Sequence, residues 1–179
     1  MRRLPATRLS VEVRLIITLE EQVLLVPECS VDCPVHLEPA GLRLPADLLG
    51  LGEPASEAAV RVAADEAALA ANASDLRLSH VTHHRIYGEE QLALFFHIPT
   101  WDELPHPRRG TWPGAGQPQP RWYPLDALPG ELCDLDREVL AHWVGGRSYS
   151  EAGWSPLRPT PSGGLSPLQD ALQDALRLG

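Results

Sequence analysis

The sequence predicts an α/β fold, and two features of the chain point to it. Residues 11–17, 76–87 and 91–98 have the apolar and β-branched patterning of half-buried strands. Residues 55–71 are rich in alanine, the best helix former, and residues 132–144 place apolar side chains at helical spacing. Strand-like and helix-like segments thus alternate along one chain, which is typical of an α/β domain.

The first elements form a predicted strand hairpin. Residues 1–8 are expected to be a flexible N-terminal arm. Residues 11–17 are followed by Glu20 and Glu21 as a short turn, and residues 23–26 then supply the second apolar strand. Residues 29–51 lack clear periodicity and contain several prolines, so we expect an extended loop with at most one strand at residues 35–37.

The central elements are a helix and a second hairpin. Pro54 can open the helix of residues 55–71 at its first turn, where no backbone donor is needed. Asn72, Ala73 and Ser74 end it. Residues 76–87 and 91–98 are predicted strands joined by a turn at residues 88–90.

The last elements include a long loop and a change of composition. Residues 101–120 form a loop rich in proline and tryptophan, and residues 121–123 a short strand. The helix of residues 132–144 stops at Gly145 and Gly146. We therefore predict a domain at residues 9–145, a Pro/Gly/Ser linker at 146–164, and a short amphipathic helix at 165–179.

Composition limits the function. The 179 residues suffice for one domain with a full core. A net charge of −9 argues against a protein that coats nucleic acid, because such proteins displace phosphate counterions with a positive surface. All fifteen basic residues are arginine, which excludes chemistries that need a lysine. No apolar run approaches the length of a membrane span, and no signal peptide is expected.

The cysteines predict a reducing compartment. Their number is three, which does not make a disulfide framework and fits the cytoplasm. Cys29, Cys33 and His36 are close enough in sequence for a zinc site, but Cys133 is a distant fourth ligand. Free thiols are the favoured interpretation.

A motif around the first helix resembles the Nudix box. That pattern has a glutamate and an arginine at a fixed separation, then two adjacent glutamates and an aliphatic residue. Glu53 and Arg61 have that separation, Asp65 and Glu66 stand at the paired acids, and Leu69 closes the pattern.

This box is degenerate. Four positions differ from the family pattern, namely Asp47 for the first glycine, Val62 for a glutamate, Ala63 for a bulkier aliphatic and Ala68 for the last glycine. An alternative alignment uses Ala40 and Gly41 as the glycine turn and treats residues 45–51 as an insertion. The sequence leaves both alignments open.

The order of the surrounding elements strengthens the resemblance. A hairpin precedes the box, a second hairpin follows it, and the segment Arg121-Trp122-Tyr123-Pro124 is similar to the strand-to-helix signature of many Nudix proteins. The resemblance covers residues 11–145. It implies a Nudix-type α/β/α sandwich with a mixed, partly curled sheet between the two helices.

The resemblance also implies a site. In Nudix enzymes the helix acids hold Mg²⁺ or Mn²⁺, cations that prefer oxygen ligands. The expected metal ligands are Glu57, Asp65 and Glu66, and the expected catalytic residues are Glu53, Arg61 and Glu66. Val62 cannot be a ligand, and Gln119 stands where a later acid is usual.

Other side chains have two interpretations each. Arg61 either orients the box acids or forms an exposed ion ladder with Glu57 and Asp65. In the long loop, four side chains suit a base and its phosphates or simply anchor the loop on the core; these are Trp101, Arg108, Arg109 and Trp112. The histidines of residues 80–84 are expected at the strand surface.

Three functions follow as hypotheses. The first is a hydrolase of a nucleoside diphosphate linked to another moiety, with Mg²⁺ or Mn²⁺ and reduced activity. The second is a catalytically inactive Nudix-fold module that binds a nucleotide-like ligand or a protein partner. The third is assembly, as a homodimer or with a partner, through the helix at 165–179.

Overall fold

The computed structural model describes residues 9–28, 41–86, 89–99 and 119–154. Within these ranges the chain forms eight strands, two α-helices and a short 3₁₀ helix at Ala73–Asp75. In chain order the elements are β1 (Ser10–Leu19), β2 (Gln22–Glu28), β3 (Gly41–Arg43), β4 (Ala46–Leu48), α1 (Ala55–Ala67), β5 (Arg77–Ile86), β6 (Glu89–Pro99), β7 (Arg121–Pro124), α2 (Asp134–Val144) and β8 (Tyr149–Ala152).

The strands form one mixed, open sheet. Its order is β3-β2-β1-β6-β5-β8, with β4 paired to β1 and β7 paired to β2. The centre is the long parallel pairing of β1 with β6, from Ser10↔Gln91 to Thr18↔Pro99. β5 and β6 pair antiparallel, and β8 then adds in parallel to β5.

The two helices cover opposite faces of the sheet, which confirms the α/β/α sandwich. Alternate side chains of a strand point to opposite faces. Thus Val13, Leu15 and Ile17 pack with α1, whereas Ile16 lies in the second core beside α2. Phe95 of β6 is fully buried in that second core.

The first helix is shorter than the sequence predicts. Its first turn is closed by the backbone N–H groups of Glu57 and Ala58, which both donate to the carbonyl of Pro54 at 3.0 Å. It ends at Ala67 because Ala68 adopts a left-handed conformation with φ of 50°, from which the helix cannot continue. Alanine-rich composition alone extends the predicted helix too far.

Several predicted elements are confirmed and three are new. Both hairpins, the strand after the long loop and the helix before Gly145 are present. The interpretation of residues 29–51 as a loop is wrong for its second half, because β3 and β4 lie there. The Pro/Gly/Ser linker expected from residue 146 is wrong at its start, because β8 belongs to the sheet.

The end of β8 lies close to β5. Gly153 has φ of 72°, and a Cβ added there would lie 2.1 Å from the carbonyl oxygen of Arg85. Only glycine allows this approach without displacement of one backbone. Trp154 then donates its indole N–H to the carbonyl of His83 at 3.1 Å, so the sheet-bound chain extends through residue 154.

A buried ion pair joins the sheet to α2. Arg14 of β1 donates to Asp136 Oδ1 at 2.5 Å and, through Nε, to Glu12 Oε2 at 2.9 Å. The other oxygen of Asp136 accepts the backbone N–H of Leu44 at 2.8 Å. Asp136 is fully buried, so one carboxylate links β1, the segment after β3, and α2.

The histidines of β5 are buried rather than at the strand surface. A bulge between Leu78 and His80 sets the register, and His80 and His84 are each 1% exposed. His80 lies 2.9 Å from the carbonyl of Arg147 through Nδ1 and 2.9 Å from the Ser150 hydroxyl through Nε2. The Ser150 hydroxyl lies 2.9 Å from that of Thr82. The expectation of surface histidines is therefore wrong for His80 and His84.

Some predictions concern residues that the structure does not describe. The N-terminal arm, the Cys29-Cys33-His36 zinc alternative and the helix at 165–179 lie outside the described residues. Cys133 is described and is a free, half-buried thiol. Neither of the described α-helices has the length and apolar character needed to cross a membrane.

Candidate functional site

Arg61 is the centre of the box geometry. Its Nε donates to Glu53 Oε1 at 2.9 Å and its Nη2 to Glu53 Oε2 at 3.0 Å. Nη1 pairs with Asp47, and Nη2 also donates to the carbonyl of Leu48 at 3.2 Å. The backbone N–H of Gly50 donates to Glu53 Oε2 at 2.8 Å. One guanidinium thus fastens α1 to β4 and to the loop between them.

These contacts join the glutamate and the arginine that both alignments of the box share. Bidentate pairing of an arginine with a carboxylate is strong and directional, and here it joins the Glu53 and Arg61 that the box pattern pairs. The alternative of an exposed ion ladder with Glu57 and Asp65 is wrong, because the ion pairs of Arg61 run to Glu53 and Asp47. Among the box acids, Arg61 pairs with Glu53.

The hydrogen bonds that Glu53 accepts from Arg61 and from the Gly50 backbone make Glu53 more acidic. Hydrogen bonds from Arg61, and then from the Gly50 backbone, lower the pKa of Glu53 to about 2. The hydrogen bonds of Arg61 to Glu53, and then to Asp47, raise the pKa of Arg61. A carboxylate with so low a pKa is a weak base, and its oxygens are already engaged. The geometry gives Glu53 a bracing role, and its catalytic role stays a prediction.

The lowered pKa of Glu53 predicts that the free energy of unfolding depends on pH. The pKa of Glu53 is lower in the folded state than its ordinary 4.5, so its contribution is present above pH 4.5 and is lost as the pH falls toward 2. Glu53→Gln should therefore be less stable than the native chain at pH 7 and should lose less stability between pH 4.5 and 2. Urea unfolding at a series of pH values measures this. Glu57→Gln, an exposed change in the first turn of α1, should follow the native profile; a profile of Glu53→Gln parallel to it would contradict the assignment.

The structure does not bring the three expected metal ligands together. Glu57 and Asp65 are exposed, while Glu66 is half-buried. Glu66 Oε2 pairs with Nη2 of Arg43 at 2.8 Å. Among residues 9–28, 41–86, 89–99 and 119–154, no group of three acids, histidines or cysteines is placed to hold a metal ion.

The donor set around Glu66 does not fit a Nudix metal centre. Val62 lies one turn before Glu66, at the position of a box glutamate, and is fully buried in the core against α1. The Glu66 carboxylate already has a cationic partner in Arg43. Burial raises the pKa of Glu66, although Arg43 opposes this. Within the described part of the chain, a hard divalent cation would meet a Glu66 carboxylate that is already paired with Arg43, with no group of three ligands around it.

Ala68, at the position of the last box glycine, has the left-handed conformation that favours glycine. Its φ of 50° costs an L-residue about 1–2 kcal/mol. Ala68→Gly should therefore raise the free energy of unfolding by about 1 kcal/mol. Thermal unfolding measures this, with Ala64→Gly in the exposed helix interior as a control that should lower stability by a similar amount. Equal effects of the two variants would contradict the prediction.

Other expected site residues remain untested. Trp101, Arg108, Arg109 and Trp112 lie outside the described residues. Gln119 is described and exposed, just before β7. Arg43 is a partner of Glu66 that no motif in the sequence identifies, although the Leu-Arg-Leu alternation at residues 42–44 is a strand signal that could have placed it.

The fold is that of known Nudix hydrolases. A MutT Nudix hydrolase from Burkholderia pseudomallei matches with a TM-score of 0.59 and 21% identity, covering 75% of this chain and 97% of its own. A Nudix hydrolase from Nitrosomonas europaea matches with a TM-score of 0.61 and 20% identity, covering 79% and 93%.

A third neighbour has a more distant sequence. It is a bifunctional NMN adenylyltransferase/ADP ribose pyrophosphatase from Francisella tularensis, complexed with AMP and a manganese ion. Its TM-score is 0.55 at 12% identity, and the match covers 79% of this chain and 43% of that one. No protein-family model matches the sequence, and no curated protein matches it significantly.

Proposed function

The chain has the Nudix fold, and from that premise we propose that it binds a nucleotide-like ligand and has lost metal-dependent hydrolysis. The ligand class comes by analogy from fold neighbours described as an ADP ribose pyrophosphatase and an ADP compounds hydrolase. We propose a nucleoside diphosphate linked to another moiety, bound without a membrane or nucleic acid. The odd cysteine count supports a cytoplasmic location.

The ion pair between Arg43 and Glu66 carries this proposal. It engages the last acid of the box helix with a side chain of the protein itself. Val62 removes a second carboxylate, and Asp65 is exposed rather than directed at a shared centre. Metal contacts contribute several kcal/mol each to a transition state, so these changes together cost orders of magnitude in rate.

Slow hydrolysis with Mg²⁺ or Mn²⁺ is the second candidate. The observation in its favour is the intact pairing of Arg61 with Glu53, which keeps the loop before α1 in a box-like arrangement. Glu66 and Asp65 would then be the ligands available on the helix. This candidate predicts turnover that depends on Glu66.

One experiment separates the two candidates. The purified protein is incubated with ADP-ribose, NADH, dinucleoside polyphosphates and nucleoside triphosphates, with and without Mg²⁺ or Mn²⁺, while melting temperature and released products are measured. Binding without turnover should raise the melting temperature by several degrees, since about 2.7 kcal/mol is gained at a hundredfold excess over Kd.

Control variants show whether released product comes from this protein or from a contaminating enzyme. Glu66→Gln and Glu138→Gln, an exposed change on α2, are compared with the native chain under the same conditions. Product release that Glu66→Gln abolishes and Glu138→Gln preserves would establish the hydrolase and overturn the binding module. The absence of any melting shift across the panel would overturn the proposed ligand class.

Assembly through residues 165–179 is a separate proposal. Because β8 and Trp154 are held to the sheet, a truncation that tests it should remove residues 155–179 rather than start at 147. The assembly proposal expects a smaller mass in solution after truncation than loss of the tail alone explains. A monomer before and after truncation would refute it.

A further inference from the structure

Arg43 is held in position by backbone contacts on both sides. It pairs across the sheet with Val26 of β2. The neighbouring Leu42 donates its N–H to the carbonyl of Glu131 at 3.0 Å, and its own carbonyl accepts the N–H of Cys133 at 2.8 Å. The strand that carries the guanidinium is therefore fixed between β2 and the segment before α2.

The guanidinium is directed at α1. Its Nη2 lies 2.8 Å from Glu66 Oε2, and its Nη1 donates to the carbonyl of Leu44 at 3.1 Å. The two side chains are 21% and 28% exposed, so water screens the pair only in part. The Ala46 backbone N–H also donates to the Glu66 carboxylate.

Arg43 is the positive charge that stabilises the ionised carboxylate of Glu66. A half-buried carboxylate near the negative Asp47 is stabilised by a cation. In a helix of this fold a divalent ion could serve that need, but it would have to displace a fixed guanidinium or accept it as a like-charged neighbour. Val62, one turn earlier, offers no compensating oxygen.

We infer that the guanidinium of Arg43 neutralises the charge of Glu66 on α1, a role that a divalent metal has in the Nudix hydrolases. The folded domain is then insensitive to divalent ions, and any phosphate group that it binds is bound without a metal bridge. This inference rests on the Nudix fold and on the Arg43–Glu66 geometry, independently of which ligand the protein takes.

The test uses Mn²⁺ alone, with no nucleotide, so that its outcome is separate from that of the ligand panel. Mn²⁺ binding and Mn²⁺-dependent melting temperature are measured for the native chain, Arg43→Gln, Glu66→Gln and the double variant. Arg121→Gln, which removes an exposed positive charge from β7, is the matched control.

The expected result is a gain of metal binding when Arg43 is removed. The native chain and Arg121→Gln should show no saturable Mn²⁺ effect. Arg43→Gln should bind Mn²⁺ at least about tenfold more tightly than the native chain, since the like charge is gone and Glu66 is free. The double variant should lose that gain. If Arg43→Gln binds no better than Arg121→Gln, or if the gain survives Glu66→Gln, the inference is wrong.

A measurement on the native chain holds even if Arg43→Gln does not fold. Mn²⁺ is paramagnetic and broadens the NMR signals of nearby amides. Titration of the native protein should leave the amides of Asp65, Glu66 and Ala67 no broader than those of exposed acids elsewhere, such as Glu89. Selective broadening along this turn would show a metal beside Glu66 and overturn the inference.

Discussion

Asp136→Ala should lower the free energy of unfolding by about 3–5 kcal/mol, because it leaves the buried Arg14 without its main counter-charge. The same change removes the acceptor of the Leu44 backbone N–H, an additional unsatisfied group in the core. Glu12 still pairs with the Nε of Arg14, so one of the two charge contacts of Arg14 remains. Urea unfolding followed by circular dichroism measures the loss.

Two controls show whether the pairing itself is responsible. Asp134→Ala, an exposed change in the first turn of the same helix, should cost no more than about 1 kcal/mol. The double variant Arg14→Met/Asp136→Leu removes both charges and should lose less stability than Asp136→Ala alone. A double variant that is less stable than the single one would mean that the ion pair contributes net stability, contrary to this account.

Val62→Glu should be strongly destabilising and should not restore a metal site. Val62 is fully buried in the core between α1 and the sheet. A carboxyl group held there without a partner has its pKa raised, and a rise of three units corresponds to about 4 kcal/mol of lost stability at neutral pH.

The cost of Val62→Glu should depend on pH in a defined sense. The raised pKa makes the penalty full at pH values above that pKa, and protonation removes it as the pH falls toward the unfolded value of about 4.3. Thermal unfolding between pH 8 and 5 should therefore show Val62→Glu approaching the native chain at the acidic end. Ala64→Glu, exposed on the same helix, should show no such convergence. Hydrolysis gained by Val62→Glu at native-like stability would contradict the burial argument.

Sequence periodicity predicted the elements with long local patterns. The strands of both hairpins and the two helices carry apolar side chains at their own repeat, so their type follows from neighbouring residues. β3, β4 and β8 are only three or four residues long and exist because distant strands accept them. β8, for example, pairs with a strand nearly seventy residues earlier in the chain, as in Val81↔Tyr149.

In the candidate site, too, the sequence predicted what lies within a local motif and did not predict contacts between distant segments. The spacing of Glu53 and Arg61 placed both residues in one local motif, and the structure pairs them. The pairing of Glu66 with Arg43 joins a helix to a strand across a loop, and no local pattern contains it. The left-handed Ala68 likewise depends on tertiary packing, since helix propensity alone would continue the helix.

The hydroxyl and imidazole groups between β5 and β8 form a row of hydrogen bonds in which the donor and the acceptor of each bond are determined. A backbone carbonyl only accepts, so the neutral ring of His80 must carry its proton on Nδ1, toward Arg147. Its Nε2 then accepts from Ser150, whose oxygen is left to accept from Thr82. Each donor in this row has one assigned acceptor. The backbone carbonyl of Arg147 therefore fixes which tautomer the neutral histidine adopts, and that tautomer in turn fixes the donor roles of Ser150 and Thr82.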